Sequence, residues 1–187
     1  MTPKRIVITG GPSTGKTSLI NALEKNGYCC FHEVIRLMTH EAKEKGDLTN
    51  LETNPIATVT NPMAFNQKIC SARLAQYREA EKTDTAITFF DRGIPDVLGY
   101  MNYFKQHPTD ELMAIAENNR YDFIFLLPIW KEIYVLDQER FESYEEALQI
   151  HEYLKNTYTS LGYDVIEVPK NSIENRIQFI LNQLKAC

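Results

Sequence analysis

The sequence contains few cysteines and no long apolar run. Its four cysteines, Cys29, Cys30, Cys70 and Cys187, show no C-x-x-C spacing, so we expect reduced thiols, with a metal or redox site as the alternative. No apolar stretch approaches the roughly 20 residues of a transmembrane helix. The apolar residues 6–8 come so early that no room is left for a signal peptide, and we expect a cytoplasmic protein.

Positive charge is also scarce. The 187 residues include 20 Lys or Arg against 25 Asp or Glu, a net charge of −5, and no Lys/Arg-rich run interrupts this balance. A nucleic-acid partner is therefore not expected. The hydrophobic content of 43% is ordinary for a globular chain, and the length suits one core, which predicts a single domain over residues 1–187. The four histidines share no metal-ligand spacing.

A phosphate-binding loop stands near the start of the sequence. Gly10, four residues, and then Gly15, Lys16 and Thr17 give the spacing G-x-x-x-x-G-K-[ST], the Walker A motif. The glycines allow backbone N–H groups to surround a phosphate tail, Lys16 can reach the outer phosphates, and the Thr17 hydroxyl can ligate Mg²⁺. We therefore predict that ATP and Mg²⁺ bind here. The predicted contacts are Gly10, Gly11, Pro12, Ser13, Thr14, Gly15, Lys16, Thr17 and Ser18.

Strand and helix patterns alternate along the whole chain. Runs of β-branched and aromatic residues predict strands at 6–8, 28–31, 86–90, 123–127 and 164–168. Apolar residues at helical spacing predict helices at 18–25, 33–45, 63–82, 94–104, 109–118, 144–160 and 172–185, with a polar loop at 46–61. This alternation predicts an α/β fold with a five-stranded parallel sheet and a ligand site beyond the carboxyl ends of the strands.

Asp91 ends the third predicted strand, and Arg92 follows it. A carboxylate at this position lies beside the phosphate loop and can hold Mg²⁺, although Asp is also a common helix N-cap. Motor ATPases usually place a Glu after this Asp to activate water. The planar fork of Arg92 would instead grip a phosphate or a substrate group. The pair therefore favours transfer to a held acceptor over hydrolysis.

Glu33 follows the second predicted strand, and Arg36 comes one helical turn later. Glu33 could accept a proton from an acceptor hydroxyl while Arg36 orients the substrate; the alternative is an exposed ion pair at a helix start. Arg73 is a weaker candidate. The apolar stripe of its helix, which includes Ile69 and Tyr77, is predicted to lie on a different face.

Arg140 lies in a charged segment after the fourth predicted strand. We predict a mobile lid at approximately 129–146 that brings Arg140 to the transferring phosphoryl group, although a solvated, charged helix face would have the same composition. Trp130 and Tyr134 belong to the same segment. They could stack on a base, but ordinary packing is the stronger expectation.

Several of these stretches together resemble a known group of proteins. VITGGPSTGKTSLINALE, HEVIR, FFDRGIPD and LDQERF, the last followed by HEYLKNTY and IEVP, are similar to stretches of small bacterial P-loop proteins described as AAA-type ATPases or predicted kinases. That group in turn resembles the ribosylnicotinamide-kinase domain of bifunctional regulators of NAD synthesis. The Asp91-Arg92-Gly93 sequence is closer to nucleoside and nucleotide kinases, and the guanine-specific N-K-x-D motif of GTPases is absent.

The resemblance implies a P-loop NTPase fold of the nucleoside/nucleotide-kinase type, a three-layer sandwich. It also implies an ATP- and Mg²⁺-dependent phosphotransferase acting on a small hydroxyl-bearing acceptor, such as a nucleoside or ribosylnicotinamide. The alternative is a nucleotide-dependent switch whose lid signals to a protein or lipid partner. In the kinase interpretation the catalytic residues are Lys16, Glu33, Asp91 and Arg140, and the acceptor is held by Glu33, Arg36 and Arg92.

Overall fold

Five parallel strands form the sheet on which the chain is built. The computed structural model describes residues 3–35, 61–134 and 142–185. Its strands are β1 (Lys4–Thr9), β2 (Cys29–Phe31), β3 (Ile87–Asp91), β4 (Phe123–Leu126) and β5 (Val165–Glu167). They lie in the order β2-β3-β1-β4-β5, and every neighbouring pair is parallel. The predicted five-stranded parallel α/β fold is confirmed.

Helices connect the strands, as parallel pairing requires. They are α1 (Lys16–Lys25), α2 (Pro62–Glu79), α3 (Ile94–Tyr103), α4 (Asp110–Asn118), α5 (Tyr144–Ser160) and α6 (Ile173–Lys185), with short 3₁₀ turns at Ala80–Lys82 and Lys131–Ile133. Residues 34 and 35 are also helical. The rest of the helix predicted at 33–45, and the loop predicted at 46–61 except Asn61, lie outside the described residues.

Local sequence determines where two of the helices begin. Pro62 opens α2 behind the cap residue Asn61, whose side-chain oxygen accepts a hydrogen bond from the Ala64 N–H at 3.0 Å. Helix α5 opens with a capping box. Glu146 N–H donates to Ser143 Oγ at 3.2 Å, and Ser143 N–H donates to Glu146 Oε2 at 2.8 Å. The box fixes the first turn of the helix that packs on the phosphate loop.

The sheet is buried on both faces because side chains of each strand alternate between two apolar clusters. On β1, Val7 packs among residues of α2 to α5, whereas Ile6 and Ile8 pack among residues of α1 and α6. On β3, Phe90 joins the first cluster and Phe89 the second. Helices cover both faces, so the fold has three layers, and the carboxyl ends of the strands form the edge where polar groups meet.

The strand register brings three predicted parts of the site to this edge. Asp91, at the end of β3, pairs with Ile8 of β1, immediately before the phosphate loop. Phe31, at the end of β2, pairs with Phe90, so Glu33 leaves the sheet beside Asp91. The order across the edge is therefore the residues after β2, then the end of β3, then the phosphate loop.

Candidate active site

The phosphate loop has the backbone shape that its glycines permit. Gly10 has φ of +144° and Gly15 has φ of +83°, while Ser13 adopts a left-handed φ of +56°. A Cβ at Gly10 would lie 2.6 Å from the carbonyl oxygen of Leu127, too close for any side chain. Helix α1 begins at Lys16, so its first N–H groups open onto the loop.

Lys16 lies folded over the loop that it belongs to. Its Nζ donates to the carbonyl oxygens of Gly10 at 2.9 Å and Gly11 at 2.7 Å, and it contacts Thr14 Oγ1 at 3.3 Å. The side chain is only 8% exposed. A phosphate tail would offer this ammonium group charged oxygens in place of the two carbonyls. Lys16 Nζ is therefore held within the loop by the loop's own oxygen atoms.

Asp91 and Thr17 are the residues that would supply oxygen ligands to the predicted Mg²⁺ site. Asp91 is 2% exposed at the end of β3, and Thr17 lies in the first turn of α1. Mg²⁺ bound with a nucleotide usually takes one or two carboxylates, with phosphate oxygens and water completing the shell. A hydroxyl and a carboxylate fit that donor set. Within residues 3–35, 61–134 and 142–185, no three His, Cys, Asp or Glu side chains form a metal-binding group of their own.

Glu33 pairs with an arginine that the sequence analysis placed elsewhere. Its Oε1 lies 3.4 Å from Nη2 of Arg73, which is 3% exposed and also donates from Nη1 to the carbonyl oxygen of Gly93 at 2.9 Å. The prediction that Arg73 faces away from the apolar stripe is wrong. Arg73 stands four residues after Ile69 and four before Tyr77, and all three are buried on one face of α2. In the sequence, this spacing of four residues was the signal that Arg73 lies on the buried face.

Arg92 is held by residues of the protein itself. Its Nη1 donates to Asp96 Oδ1 at 3.0 Å and its Nη2 to the Tyr100 hydroxyl at 3.1 Å, while its guanidinium lies 5.1 Å from the Tyr100 ring centroid. Its backbone is left-handed, with φ of +73°. Burial would lower the pKa of Arg92, but Tyr100 and Asp96 raise it overall. The guanidinium thus lies at the sheet edge as predicted, with Asp96 as its fixed counter-charge.

Asp96 is the residue of this region that sequence reasoning missed. It is fully buried and accepts hydrogen bonds from Thr9 Oγ1 at 2.6 Å, Tyr158 hydroxyl at 2.6 Å and Gly93 N–H at 2.9 Å, in addition to the one from Arg92. Burial raises its pKa, but Arg92 and the other donors lower it overall. One carboxylate therefore joins the end of β1, the turn after β3 and helix α5. We call Asp96 with Thr9, Arg92, Gly93 and Tyr158 the Asp96 network.

A cleft opens on the other side of the phosphate loop, next to the start of α6. Its volume is about 350 Å³, within the usual range for small-ligand sites. The lining residues are Ser13, Gly15, Thr17, Ser18, Trp130, Ile133, Asn171, Ser172, Ile173 and Arg176. Trp130 is one of the residues that border the cleft, whereas the sequence favoured ordinary packing for it. Tyr134 instead packs its ring against Tyr144 and donates its hydroxyl to the Glu142 carbonyl oxygen.

Some predicted site residues are not among the described residues. Arg36, Arg140 and residues 135–141 of the predicted lid lie outside the described residues.

Cys29, Cys30 and Cys70 are free thiols, and burial raises the pKa of Cys30 to about 12, which keeps it protonated. Among the described helices, none has both the length and the apolar composition needed to cross a bilayer.

Comparisons with known proteins agree with the resemblance seen in the sequence. A family model described as AAA domain matches residues 5–176. No curated protein matches the chain by sequence. Among solved structures, deoxyadenosine kinase from M. mycoides with bound dCMP and dCDP is 17% identical, with a TM-score of 0.67. The match covers 98% of this chain and 100% of the kinase chain.

Two further structures share the fold. NadR in complex with NAD and AMP-PNP is 14% identical with a TM-score of 0.70, covering all of this chain but 50% of its own. Thymidylate kinase from Ehrlichia chaffeensis is 11% identical with a TM-score of 0.65, covering 98% of this chain and 100% of its own. At these identities the likeness shows the fold, and the predicted kinase-type P-loop fold is confirmed.

Proposed function

The chain belongs to the AAA domain family, and we propose that it is a phosphotransferase that moves the γ-phosphoryl group of ATP to a small hydroxyl-bearing acceptor. The observation that carries the proposal is the pair of carboxylates beside the phosphate loop. Asp91 ends the strand next to the loop, and Glu33 follows the strand after that, held by Arg73. In this proposal Asp91 serves the nucleotide and Glu33 serves the acceptor.

The nucleotide end uses the loop and the first turn of α1. The loop N–H groups and Lys16 would bind the phosphates, and Thr17 and Asp91 would hold Mg²⁺. When bound, the metal ion supplies positive charge that offsets the charge of the phosphate oxygens. Lys16 has only to exchange the carbonyl oxygens of Gly10 and Gly11 for phosphate oxygens.

The acceptor end uses Glu33 as a general base. The acceptor oxygen forms a bond to the γ-phosphorus while the bond from that phosphorus to the β,γ-bridging oxygen breaks, and the hydroxyl proton passes to the Glu33 carboxylate. ADP and the phosphorylated acceptor are the products. Arg73, with its second contact to the Gly93 carbonyl oxygen, fixes where the carboxylate stands.

The identity of the residue after Asp91 supports transfer over hydrolysis. That residue is Arg92, and an arginine has no carboxylate with which to activate water. Its guanidinium donates hydrogen bonds to Asp96 and Tyr100. We expect the purified protein to hydrolyse ATP slowly when no acceptor is added. Turnover near the enzyme average of about 10 per second without an acceptor would contradict the proposal.

Chemistry and the structures that share the fold support a proposal for the class of acceptor. Deoxyadenosine kinase, thymidylate kinase and NadR, whose solved complexes include one with NR, are named for or bound to nucleoside-type compounds. We propose a nucleoside-like acceptor with a free hydroxyl. The compounds to screen are ribonucleosides, deoxyribonucleosides and ribosylnicotinamide, each with MgATP and ADP release as the signal. Nucleoside monophosphates test the contrasting case of a phosphate acceptor.

The deciding experiment compares the wild type with Glu33→Gln. A general base acts on the acceptor, so MgATP affinity should stay nearly unchanged while acceptor-dependent ADP release falls by about 10²–10⁴-fold. Glu24→Gln is the matched control, because Glu24 is an exposed carboxylate whose partner is His32. Equal rates in wild type and Glu33→Gln would remove Glu33 as the base. A wild type that no acceptor stimulates would favour the nucleotide-dependent switch.

A further inference from the structure

Each of the two carbonyl oxygens that bind Lys16 also has a second hydrogen-bond donor. The Gly10 oxygen accepts from Lys16 Nζ at 2.9 Å and from Arg92 Nη1 at 3.4 Å. The Gly11 oxygen accepts from Lys16 Nζ at 2.7 Å and from Thr14 Oγ1 at 3.0 Å. Both carbonyls therefore have a donor that does not depend on the lysine.

The second donors become important when Lys16 moves to a phosphate. An ammonium group has three N–H donors, so Lys16 cannot bind phosphate oxygens without releasing oxygens of the loop. Gly10 and Gly11 are buried, and a buried carbonyl oxygen that has lost its donor is unfavourable. The transfer of Lys16 to a phosphate is thus more favourable when another donor remains on each carbonyl oxygen.

Thr14 is fixed in the position that this role needs. Its side chain is 1% exposed, and its backbone carbonyl oxygen accepts a hydrogen bond at 3.2 Å from Nη1 of Arg176, which lies in α6, 162 positions further along the chain. Its hydroxyl has one proton, which it donates to Gly11, while the hydroxyl oxygen accepts from Lys16 Nζ at 3.3 Å. The hydroxyl can keep the first bond when the second is given up.

Arg92 is less suited to a test of this role than Thr14. Its guanidinium also pairs with the buried carboxylate of Asp96, so a substitution would disturb the Asp96 network as well as the contact with Gly10. The Thr14 hydroxyl can be removed by a change that nearly preserves the shape of the side chain. Thr14 is therefore the residue on which the role can be measured by itself.

We propose that Thr14 is a positioning residue for phosphate binding, whose hydroxyl holds the Gly11 carbonyl oxygen while Lys16 moves to the phosphates. Arg92 does the same for Gly10. The inference rests on the proposed function only in that the ligand carries a chain of phosphates. Thr14 acts through the loop backbone and takes no part in phosphoryl transfer. It strengthens binding because it satisfies Gly11 in the bound state, where the lysine no longer does.

The test compares three variants by calorimetry with two probes, MgATP and magnesium tripolyphosphate. Thr14→Val should lower the affinity for both probes by the same factor of about ten, the size of the loss when one buried carbonyl oxygen is left without a donor. Thr14→Ser keeps the hydroxyl and should recover most of the affinity. Thr88→Val is the matched control, because it removes a buried hydroxyl near the start of β3, 3.2 Å from Thr85 Oγ1, and should change neither affinity.

Chemical denaturation separates this role from a purely structural one. Without nucleotide, Lys16 still serves the Gly11 carbonyl oxygen, so Thr14→Val should have nearly the wild-type free energy of unfolding. At an MgATP concentration well above both dissociation constants, the ligand should stabilise the variant by about 1.4 kcal/mol less than wild type, which corresponds to the tenfold loss of affinity. A role in packing alone would lower both free energies equally.

Three results would overturn the proposal. They are an unchanged or higher MgATP affinity in Thr14→Val, a loss confined to MgATP and absent for tripolyphosphate, and a failure of Thr14→Ser to restore binding. None of these measurements includes an acceptor. A wild type that behaves as expected with both probes yet phosphorylates no acceptor would therefore sink the proposed function alone, whereas a wild type that binds neither probe would overturn both.

Discussion

The phosphate loop and the Asp96 network are neighbours at the carboxyl edge of the sheet, yet they are built differently. The loop contacts of Lys16 join residues two to six positions apart. The contacts of Asp96 with Thr9 and Tyr158 join residues 87 and 62 positions apart. The loop is a local structure at the start of α1, whereas the Asp96 network forms only when distant parts of the chain have folded together.

This difference predicts different consequences of substitution. A change in the loop removes contacts with the ligand and leaves the packing of the sheet intact. A change in the Asp96 network leaves a buried charge or hydroxyl without its partner, which lowers the free energy of unfolding. The substitutions below test that contrast.

The largest effect is expected for Asp96→Asn. This change keeps the shape of the side chain but leaves Arg92 without its counter-charge, and we expect the free energy of unfolding to fall by about 3–5 kcal/mol. Chemical denaturation measures it, with the exposed Asp84→Asn as control. A loss no greater than that of the control would show that the network contributes little.

The same variant has a predicted pH signature. Although burial raises the pKa of Asp96, Arg92, Arg73, Thr9 and Tyr158 together hold it below its ordinary value. Its contribution to stability is therefore complete above the unfolded-state pKa of about 3.9 and is lost as the pH falls through the lower folded pKa. Wild type should lose more stability than Asp96→Asn as the pH drops from neutral to below that range.

Lys16→Ala tests the phosphate loop. We expect MgATP affinity to fall by about a hundredfold or more, about 2.8 kcal/mol, because the loop loses its one ammonium group. Unfolding should remain cooperative, since the lost contacts lie within the loop. Calorimetry measures the affinity, and Lys25→Ala, at the exposed end of α1, is the control. Unchanged affinity would remove the loop from the proposed function.

The smallest effect is expected where α5 packs on the loop, at His151. Burial lowers the pKa of this 7% exposed imidazole. The unfolded chain takes up the proton near its ordinary pKa of about 6.5, so stability is complete above that value and declines as the pH falls toward the lower folded pKa. The charged groups acting on it are Glu152, Glu167, Lys155 and Lys16.

The corresponding experiment compares unfolding at several pH values between 7 and 5. His151→Gln should flatten the decline in stability, whereas His107→Gln, at an exposed position, should leave it as in wild type. An unchanged decline in His151→Gln would assign the pH dependence of this range to other groups.

The sequence predicted what is local and missed what is assembled by packing. The Walker A spacing specifies the loop. The strand patterns predicted the parallel sheet, the position of Asp91 at the end of one strand and the position of Glu33 after another. Arg73 was assigned to the wrong face of its helix, because a charged residue was taken to lie outside an apolar stripe. Its burial depends on Glu33 and the Gly93 carbonyl oxygen, which only the fold brings to it.

Asp96 and Arg176 were missed for a related reason. Asp96 stands in the quoted stretch FFDRGIPD, where an Asp three residues after Gly93 is explained fully by capping of α3. Arg176 stands on an amphipathic helix, where an arginine is ordinarily solvated. The bonds of Asp96 to Tyr158 and of Arg176 to Thr14 each join residues more than 60 positions apart, and no local pattern indicates them.

The reach of Asp96 to Tyr158 also sets an order of events during synthesis. A chain made in the N- to C-terminal direction contains the phosphate loop well before it contains α5, whose Tyr158 completes the Asp96 network. A ribosome-bound or truncated chain that ends before α5 therefore carries the phosphate loop while Asp96 lacks the hydrogen bond from Tyr158. Under the proposed function, the residues that would bind the nucleotide are thus made before the residues that complete the Asp96 network.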